Sequence, residues 1–277
     1  MSLAGTIKRA VRRLDGGLSR YGLSPIRFVR AVIATPGFVS DYAAFKGRLG
    51  AKSGWVIGPL SPVFDDRNQP GGAASGHYFH QDLLVAQRIW QRNPARHIDA
   101  GSRVDGFVAH VASFRAIEYI DIRPLPSRIR NVTFRHIDLM APLAAEHREI
   151  CDSLSCLHAL EHFGLGRYGD RLDPDGYATG FAALAQMLKP GGILYFSTPV
   201  GRERIEFNAQ RVFGCARLLR LFEDNGLALL DLSYVDDDGD LVESVAVTPA
   251  LIARLDRMDY ACGIFELRKN AGRLEPR

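Results

Sequence analysis

HIDAGSRVDGF, residues 97–107, is the stretch that decides the fold. Its first half is a short apolar run that predicts a buried strand ending near Asp99, and Gly101 permits a tight turn directly after it. Beyond the turn we expect a helix, whose first backbone N–H groups have no partner within the helix and can contact a ligand. The stretch therefore predicts a strand, a turn and a helix, with a ligand site where the strand ends.

Apolar runs and helical patterns alternate along the rest of this region. Four more buried strands are predicted, from IEYIDI at 117–122, VTFRHIDL at 132–139, ICDSLSC at 150–156 and GILYFSTP at 192–199. Helical patterns such as GYATGFAALAQML at 176–188 lie between them. This alternation is typical of βαβ units, and it predicts a doubly wound, mostly parallel α/β sheet covered by helices on both faces.

Carboxylates follow the first three predicted strands. Asp121 ends the second strand about twenty residues after the glycine turn, where a carboxylate can accept hydrogen bonds from both hydroxyls of a ribose. Asp138 follows the third strand, where it can accept a hydrogen bond from an adenine amino group. Asp99 alone could be a simple turn former, but three carboxylates in step favour a nucleoside-binding edge of the sheet.

Composition indicates one large domain and a smaller appendage. The chain has 277 residues, of which 47% are hydrophobic, and this is enough to form one extensive core. We expect a helical appendage and linker over residues 1–76, with the linker in NQPGGAAS at 68–75, and an α/β domain over 77–277. Four cysteines without a C-x-x-C pair favour free thiols. The lack of a signal peptide or of an apolar run of about 18 residues favours a cytoplasmic protein.

Charge is distributed unevenly although its sum is small. A net charge of +4 gives no indication of nucleic-acid binding. The N-terminal segment could contact an acidic surface such as anionic lipid, or it could be a solvated helical appendage. Within it, only Asp15 opposes seven basic side chains on a pattern suited to amphipathic helices: Lys8, Arg9, Arg12, Arg13, Arg20, Arg27 and Arg30.

Five motifs follow one another over residues 96–199: HIDAGSRVDGF, YIDIRP, HIDLM, CDSLSCLHALEHF and LAQMLKPGGILYFSTP. In this order and spacing they resemble the motifs of class I S-adenosylmethionine-dependent methyltransferases. The strings SGHYFHQDL, HFGLGRYGD and RIEFNAQRVF further resemble an uncharacterised bacterial branch of that superfamily, domain of unknown function 268. The resemblance implies a Rossmann-like sheet of seven strands, one of them antiparallel, with GIFELRK at 263–269 as the last strand. It also implies S-adenosylmethionine as the cofactor.

The resemblance indicates which residues would bind this cofactor. Glycine is usual in the family at the position of Arg103 and common at that of Asp105, so the arginine could fill space near the ligand. Alternatively, its guanidinium could pair with the carboxylate of the cofactor. The implied cofactor-binding residues are Asp99, Gly101, Arg103, Gly106, Asp121, Ile122, Asp138, Leu139 and Ser155.

CLHALEHFG at 156–164 contains His158, Glu161 and His162 in the H-x-x-E-H order of the inverted zincins. A zinc site of that class needs both histidines on one face of a sustained helix and a further ligand from elsewhere. Glycines at 164, 166 and 169 would break such a helix after about two turns, so we predict no metal. The resemblance instead places this stretch beside the transferable methyl group and makes the three residues the catalytic candidates. The alternative is that the histidines are structural.

YVDDDGDL at 234–241 has the acidic character of a calcium loop. If Gly239 is the sixth position of such a loop, Tyr234 and Val245 occupy its first and last ligand positions, and neither side chain suits calcium. We therefore predict an Asp-Gly turn between two strands.

Two polar segments are expected near the methyl acceptor. The histidines of GHYFHQD at 76–82 could be ligands or bases at the mouth of the pocket, or they could only pack and hydrogen-bond. Residues 199–213 combine many hydrogen-bonding side chains with few apolar ones, which indicates a polyhydroxylated or anionic small molecule or a glycan-like acceptor; a solvated loop is the alternative. The acceptor-binding candidates are His77, His80, Arg202, Glu206 and Asn208.

Three functions are consistent with these features. The first is methyl transfer from S-adenosylmethionine to an oxygen or nitrogen of a small or glycan-like acceptor. The second, suggested by Arg103, is a methyltransferase-like domain that binds a nucleoside ligand or a partner without chemistry. The third, a nicotinamide-dependent oxidoreductase, is disfavoured because the second glycine of G-x-G-x-x-G is missing where a pyrophosphate would approach. No oligomeric state is predicted.

Overall fold

The computed structural model describes residues 14–19, 21–49, 55–64, 72 and 74–271. The chain divides into two units, Met1–Ala73 and Ala74–Arg277. The expected domain boundary between residues 76 and 77 stays a prediction. Most of the expected linker at 68–75 lies outside the described residues, as do Lys8, Arg9, Arg12, Arg13 and Arg20 of the basic segment.

A long helix, α1 (Pro25–Arg48), forms most of the described part of the first unit. The side chain of Ser24 accepts a hydrogen bond from the backbone N–H of Arg27 and so caps the start of the helix. The Asp15 carboxylate holds the same start, because it accepts hydrogen bonds from Ser24 Oγ and Ile26 N. The helical prediction for this region is confirmed. Among the described residues, no helix is long and apolar enough to span a membrane.

The described part of the second unit contains ten strands: β1 (His97–Ala100), β2 (Ile117–Asp121), β3 (Val132–His136), β4 (Cys151–Leu157), β5 (Leu188–Val200), β6 (Arg204–Glu206), β7 (Gln210–Val212), β8 (Leu227–Val235), β9 (Leu241–Val242) and β10 (Ala261–Lys269). Eight form one sheet in the order β3-β2-β1-β4-β5-β10-β8-β9, and β6 and β7 form a separate hairpin. Strands β1 to β5 are parallel, and β10 lies antiparallel between β5 and β8. The predicted doubly wound, mostly parallel fold class is confirmed. The expected seven strands are one too few, because the short strand β9 pairs with the end of β8.

Helices cover both faces of the sheet. They are α2 (His77–Arg92), α3 (Ala109–Ala112), α4 (Gly176–Met187), α5 (Cys215–Asp224) and α6 (Pro249–Leu255), with a π-helical turn at Val104–Val108 directly before α3. Along β5, Leu194 and Phe196 join the core formed with α4, α5 and α6. Ile193 and Tyr195 join the core formed with α2 and α3. Successive side chains of a strand point to opposite faces, so a continuous apolar run requires a cover on each side.

The predicted Asp-Gly turn is confirmed as the connection between β8 and β9. Gly239 has a φ of +90°, which is in the left-handed region that favours glycine. The Asp236 carboxylate accepts hydrogen bonds from the backbone N–H groups of Asp238 and Asp240, both at 3.0 Å. This side chain therefore stabilises the backbone of the turn.

Phe196→Ala should lower the free energy of unfolding by about 3–5 kcal/mol. The Phe196 ring is fully buried and packs against Phe181, Phe222 and Phe265, with ring centroids 5.4, 5.9 and 6.2 Å away. Urea unfolding followed by circular dichroism would measure the loss. Phe207→Ala is the matched control, because this ring is 74% exposed, and it should change the value by less than about 0.5 kcal/mol. Equal losses in the two variants would contradict this description of the core.

Candidate functional site

A crevice opens at the carboxyl ends of β1, β2, β3 and β4. These strands are neighbours in the sheet, and the strand order reverses between β1 and β4, which is the switch point where open α/β sheets bind ligands. The crevice contains about 580 Å³ of empty volume. Seven residues singled out from the sequence line it: Gly101, Asp121, Ile122, Asp138, Leu139, His158 and His162.

Gly101 is required at the turn after β1. Its φ of +73° lies in the left-handed region, where a side chain would be strained. A Cβ atom built there would also lie 3.0 Å from the Cβ atom of Ala159. The turn therefore brings the backbone after β1 close to the loop after β4 inside the crevice.

Asp121 ends β2 with its carboxylate at the crevice. Tyr119 Oη donates a hydrogen bond to Oδ2 at 2.6 Å. The backbone N–H and Nε of Arg123 donate to Oδ1 at 2.8 and 3.0 Å, and a terminal guanidinium nitrogen donates to Oδ2 at 2.6 Å. Burial opposes ionisation, but these hydrogen bonds and the charge of Arg123 outweigh it and lower the pKa of Asp121. The carboxylate is therefore ionised, and the protein itself uses its four acceptor positions.

Arg123 is a site residue that sequence reasoning missed. Its guanidinium lies over the ring of Tyr168, 4.1 Å from the centroid, and both side chains line the crevice. A cation over an aromatic ring is stabilised by about 0.5–2 kcal/mol. The signal is visible in YIDIRP, where an arginine follows the carboxylate by two residues, but spacing alone does not show that its side chain turns back onto Asp121.

Asp99 and Ser155 are buried and are not among the residues that line the crevice, so their assignment to the cofactor stays a prediction. Asp99 is fully buried and accepts hydrogen bonds from Ser155 Oγ at 2.5 Å, Ser102 Oγ at 2.6 Å and Ser102 N at 3.1 Å. Burial raises the pKa of Asp99 to about 7, although the serine hydrogen bonds act in the opposite direction. This carboxylate therefore fixes the loop that follows Gly101.

Arg103 and Gly106 also lie outside the lining of the crevice. The Arg103 guanidinium pairs with Asp105 at 2.8 Å and lies over the ring of Tyr78. The two residues that depart from the family's glycines are thus each other's partners, and a contact of Arg103 with the cofactor stays a prediction. Gly106 is constrained from another side, because a Cβ atom there would lie 2.5 Å from Oδ2 of Asp82.

The chain after β4 forms a three-residue 3₁₀ turn, Leu160–His162. His158 precedes this turn with a φ of +50°, and its Nδ1 lies 2.7 Å from Oε1 of Glu161. The stretch at 156–164, all of it described by the structure, does not form the sustained helix that an inverted zincin requires. The two histidines have different partners, since the nearest partner of the His162 Nδ1 atom is the Ala209 carbonyl.

His158 extends a hydrogen-bond chain to α2. Its Nε2 lies 3.1 Å from Nδ1 of His77, whose Nε2 lies 3.1 Å from the carbonyl oxygen of Tyr260. Burial and the charge of His158 lower the pKa of His77 to about 4. Burial also disfavours charge on His158, but Cys262 and Glu161 outweigh it and raise the pKa of His158 well above the usual range. A proton shared by this pair therefore resides on His158, next to the Glu161 carboxylate.

His162 is held differently. Its Nδ1 lies 2.7 Å from the Ala209 carbonyl, which can only accept, so Nδ1 carries the proton and Nε2 keeps a lone pair. Burial lowers the pKa of His162, so the ring is neutral near pH 7. Nε2 lies 3.8 Å from Oε1 of Glu161. A neutral imidazole at the crevice with a carboxylate nearby can accept a proton and be stabilised once charged.

The remaining acceptor candidates lie outside the lining of the crevice. Glu206 bonds within the β6–β7 hairpin, and Asn208 is exposed at its tip. Arg202 forms an exposed ion pair, and His80 packs edge-on against a neighbouring phenylalanine ring. The hairpin contacts the site through the Ala209 carbonyl, which holds the His162 ring.

Comparison with protein families gives a partial match. A family model described as "Caenorhabditis protein of unknown function, DUF268" matches residues 127–243. This agrees with the family of unknown function identified from the motifs, but the description does not support a bacterial branch. No curated protein matches the chain.

Solved methyltransferase structures are distantly similar to the chain. The N-methyltransferase NodS from Bradyrhizobium japonicum, in complex with S-adenosyl-L-homocysteine, is 14% identical over 70% of this chain and 88% of that chain, with a TM-score of 0.45. The 1,6-didemethyltoxoflavin-N1-methyltransferase from Burkholderia thailandensis, with bound 1,6-didemethyltoxoflavin and S-adenosylhomocysteine, is 16% identical over 90% and 91%, with a TM-score of 0.46. Such likeness says nothing about activity, so the chemistry of this Rossmann-like domain has to follow from its own residues.

Proposed function

We propose that the crevice binds S-adenosylmethionine and that the protein transfers its methyl group to an oxygen or nitrogen of a small or glycan-like acceptor. The observation that carries the proposal is the pair of carboxylates, Asp121 and Asp138, that line one crevice after neighbouring strands. They suit the ribose hydroxyls and the adenine amino group of one nucleoside.

The residues of the crevice fit such a nucleoside after one rearrangement. Ile122 and Leu139 line the crevice beside the carboxylates and offer apolar surface to a base. Arg123 occupies acceptor positions of Asp121 that ribose hydroxyls would use, so its side chain has to move aside on binding. The buried Tyr119 hydroxyl can keep its hydrogen bond to Asp121 throughout.

When bound, S-adenosylmethionine supplies a methyl group activated by its sulfonium, so the protein's own tasks are to align the acceptor, exclude water and remove a proton. His162 is the proposed proton acceptor, because it lines the crevice and its Nδ1 is fixed on the Ala209 carbonyl. Glu161 is the proposed positioning residue, since its carboxylate lies close to both histidine rings and stabilises positive charge on either. His158 is proposed to shape the wall of the crevice with its ring, since Glu161 and His77 engage both of its nitrogens.

The β6–β7 hairpin is the proposed acceptor-binding element. It carries Glu206 and Asn208, and its Ala209 carbonyl positions the proposed base. An acceptor held by this hairpin is therefore coupled to the group that removes its proton. Polar groups of this kind suit a hydroxylated or anionic acceptor. Further candidates for contact with the acceptor are Arg202, His77 and His80.

Two observations weigh against the non-catalytic alternative. It was motivated by an arginine where a ligand would approach, and the Arg103 guanidinium is instead engaged by Asp105. A domain that only bound a nucleoside would also have no use for a neutral histidine held at the crevice with a carboxylate behind it. We therefore favour methyl transfer.

A cytoplasmic location is part of the proposal. The four cysteines are all buried free thiols, which fits a reducing compartment. Contact of the basic N-terminal segment with an anionic surface stays a proposal from sequence, because most of its basic side chains lie outside the described residues.

Calorimetry with S-adenosylhomocysteine tests the ligand. Asp121→Asn should weaken binding about 10- to 100-fold, because hydrogen bonds to a charged group at about 1.5–3 kcal/mol each are weakened. Arg123→Ala should strengthen binding several-fold, because a guanidinium that competes with the ligand for Asp121 is removed. Asp105→Asn, an exposed carboxylate outside the crevice, is the control and should leave binding unchanged.

Two results would contradict this assignment. Heat from NADH, with none from S-adenosylmethionine or S-adenosylhomocysteine, would exclude the proposed ligand. Weaker binding in Arg123→Ala would show that the guanidinium contacts the ligand instead of competing with it.

His162→Gln should lower kcat by about 10²- to 10⁴-fold and leave the Kd of S-adenosylhomocysteine within about twofold, because glutamine cannot accept the proton. Release of S-adenosylhomocysteine with a panel of hydroxylated and amine acceptors would measure turnover. His147→Gln is the control, because this residue lies in the turn that precedes the amino end of β4, whereas the crevice lies at the carboxyl ends of the strands. Glu206→Gln and Asn208→Ala should raise the acceptor KM at unchanged cofactor affinity. Full turnover in His162→Gln would end its assignment as the base.

A further inference from the structure

Three side chains of types that bind metals come together from distant parts of the chain. His77 comes from α2, His158 follows β4, and Cys262 lies on β10, yet one donor atom from each lies within 4.8 Å of the other two. We propose that these three residues bind a divalent transition metal ion of borderline softness, with zinc as the first candidate. The proposal does not depend on methyl transfer and would stand if the crevice bound another ligand.

The outer hydrogen bonds of the two histidines leave their inner ring nitrogens in need of a proton or a metal ion. The Tyr260 carbonyl can only accept, so Nε2 of His77 carries a proton. The ionised Glu161 carboxylate likewise accepts from Nδ1 of His158. The inner nitrogens, Nδ1 of His77 and Nε2 of His158, then both present lone pairs to each other at 3.1 Å. Two facing lone pairs repel, so the pair needs either an extra proton on one of these two nitrogens or a metal ion beside them toward which both lone pairs turn.

Both outer contacts are those of metal-binding histidines. A histidine that binds a metal usually donates its other N–H to a carboxylate or a backbone carbonyl, which fixes the ring and its tautomer. Glu161 supplies the carboxylate and Tyr260 the carbonyl. The second oxygen of Glu161 is buried and has no hydrogen-bond partner among the described residues, so the carboxylate keeps its negative charge concentrated near the histidine pair.

The distance between the two histidine nitrogens and the types of the three donors agree with a tetrahedral ion. Zinc–nitrogen bonds of about 2.0–2.1 Å separate two nitrogens on one tetrahedral ion by about 3.3 Å, close to the 3.1 Å between His77 and His158. The third donor is the Cys262 thiol, which is fully buried and forms no disulfide. Two imidazoles and a thiolate form a donor set that zinc accepts, and three protein ligands leave a fourth position for water or a substrate.

An acidic cleft reaches one of the three proposed ligands, His77. His77 and Tyr260 line it together with the carboxylates of the β8–β9 turn and a fourth aspartate. Carboxylates of one sign around a cleft raise the local concentration of cations. The four aspartates are Asp236, Asp237, Asp238 and Asp259.

This set of ligands differs from the one considered in the sequence. The H-x-x-E-H motif suggested His158 with His162, and the lack of a sustained helix argued against zinc there. The proposed site keeps only His158 from that motif and assigns Glu161 to orient it. His77 and Cys262 could not be associated with it by spacing, because they are brought together by packing of α2 and β10 around β4 and β5.

Cobalt substitution in the untagged full-length chain tests the proposal. The protein is stripped with a chelator, loaded with Co(II), desalted and examined by absorption spectroscopy, with zinc loading and elemental analysis in parallel. We expect about one metal ion per chain, the intense visible bands of tetrahedral Co(II) and a thiolate-to-cobalt charge-transfer band. Cys262→Ser should lose the charge-transfer band and His77→Gln should lose the bound metal. Glu161→Gln should weaken metal binding about 10- to 100-fold.

Matched controls separate loss of a ligand from loss of the fold. Cys215→Ser removes another fully buried thiol, and His80→Gln removes a histidine one turn further along α2; both should keep the metal and the charge-transfer band. The wild-type spectrum decides the question even if a variant fails to fold. A wild-type protein without the thiolate band, or with a hydrogen-bonded N–H proton between His77 and His158 in nuclear magnetic resonance after zinc loading, would overturn the proposal.

Discussion

The hydrogen bond between Glu161 Oε1 and His158 Nδ1 is the contact on which the functional regions depend. The two side chains are 1% and 3% exposed, and a lone carboxylate at this depth would cost several kcal/mol. The imidazole compensates that charge, and the hydrogen bond holds the ring in one orientation. His158 thereby both lines the crevice and contacts His77, so the crevice and the histidine pair share one side chain.

Features that depend on short-range patterns were predictable from the sequence. The strands follow from apolar runs that must be covered on both faces, and the positions of Asp121 and Asp138 at one crevice follow from the parallel arrangement of β2 and β3. Strand β9 was not counted in the expected sheet of seven, because a pairing of two residues has no period to detect. Its turn was still identified, since the Asp-Gly sequence carries its own backbone preference.

The hydrogen-bond and ion-pair partners of these side chains were not predictable from the sequence. Asp99 and Asp121 both come at the end of an apolar run. Two serine hydroxyls donate hydrogen bonds to the buried Asp99, whereas a tyrosine and an arginine donate to Asp121 at the crevice. The sequence left two roles open for Arg103, and neither of them was the ion pair that its guanidinium forms with Asp105, two residues later. Contacts of this kind depend on which neighbour is nearest after folding, and residue spacing does not contain that information.

Arg123 explains how Asp121 can be buried and still accept a ligand. The Asp121 side chain is 5% exposed, so without a partner its charge would be poorly solvated. The Arg123 side chain is 43% exposed and rests on Tyr168, so it can move into solvent without becoming buried and unpaired. Ribose hydroxyls would take the place of hydrogen bonds that Arg123 donates to Asp121. Their net contribution to affinity is therefore the difference between two sets of hydrogen bonds. Selectivity for the whole nucleoside then has to come from Asp138 and the apolar wall at Ile122 and Leu139.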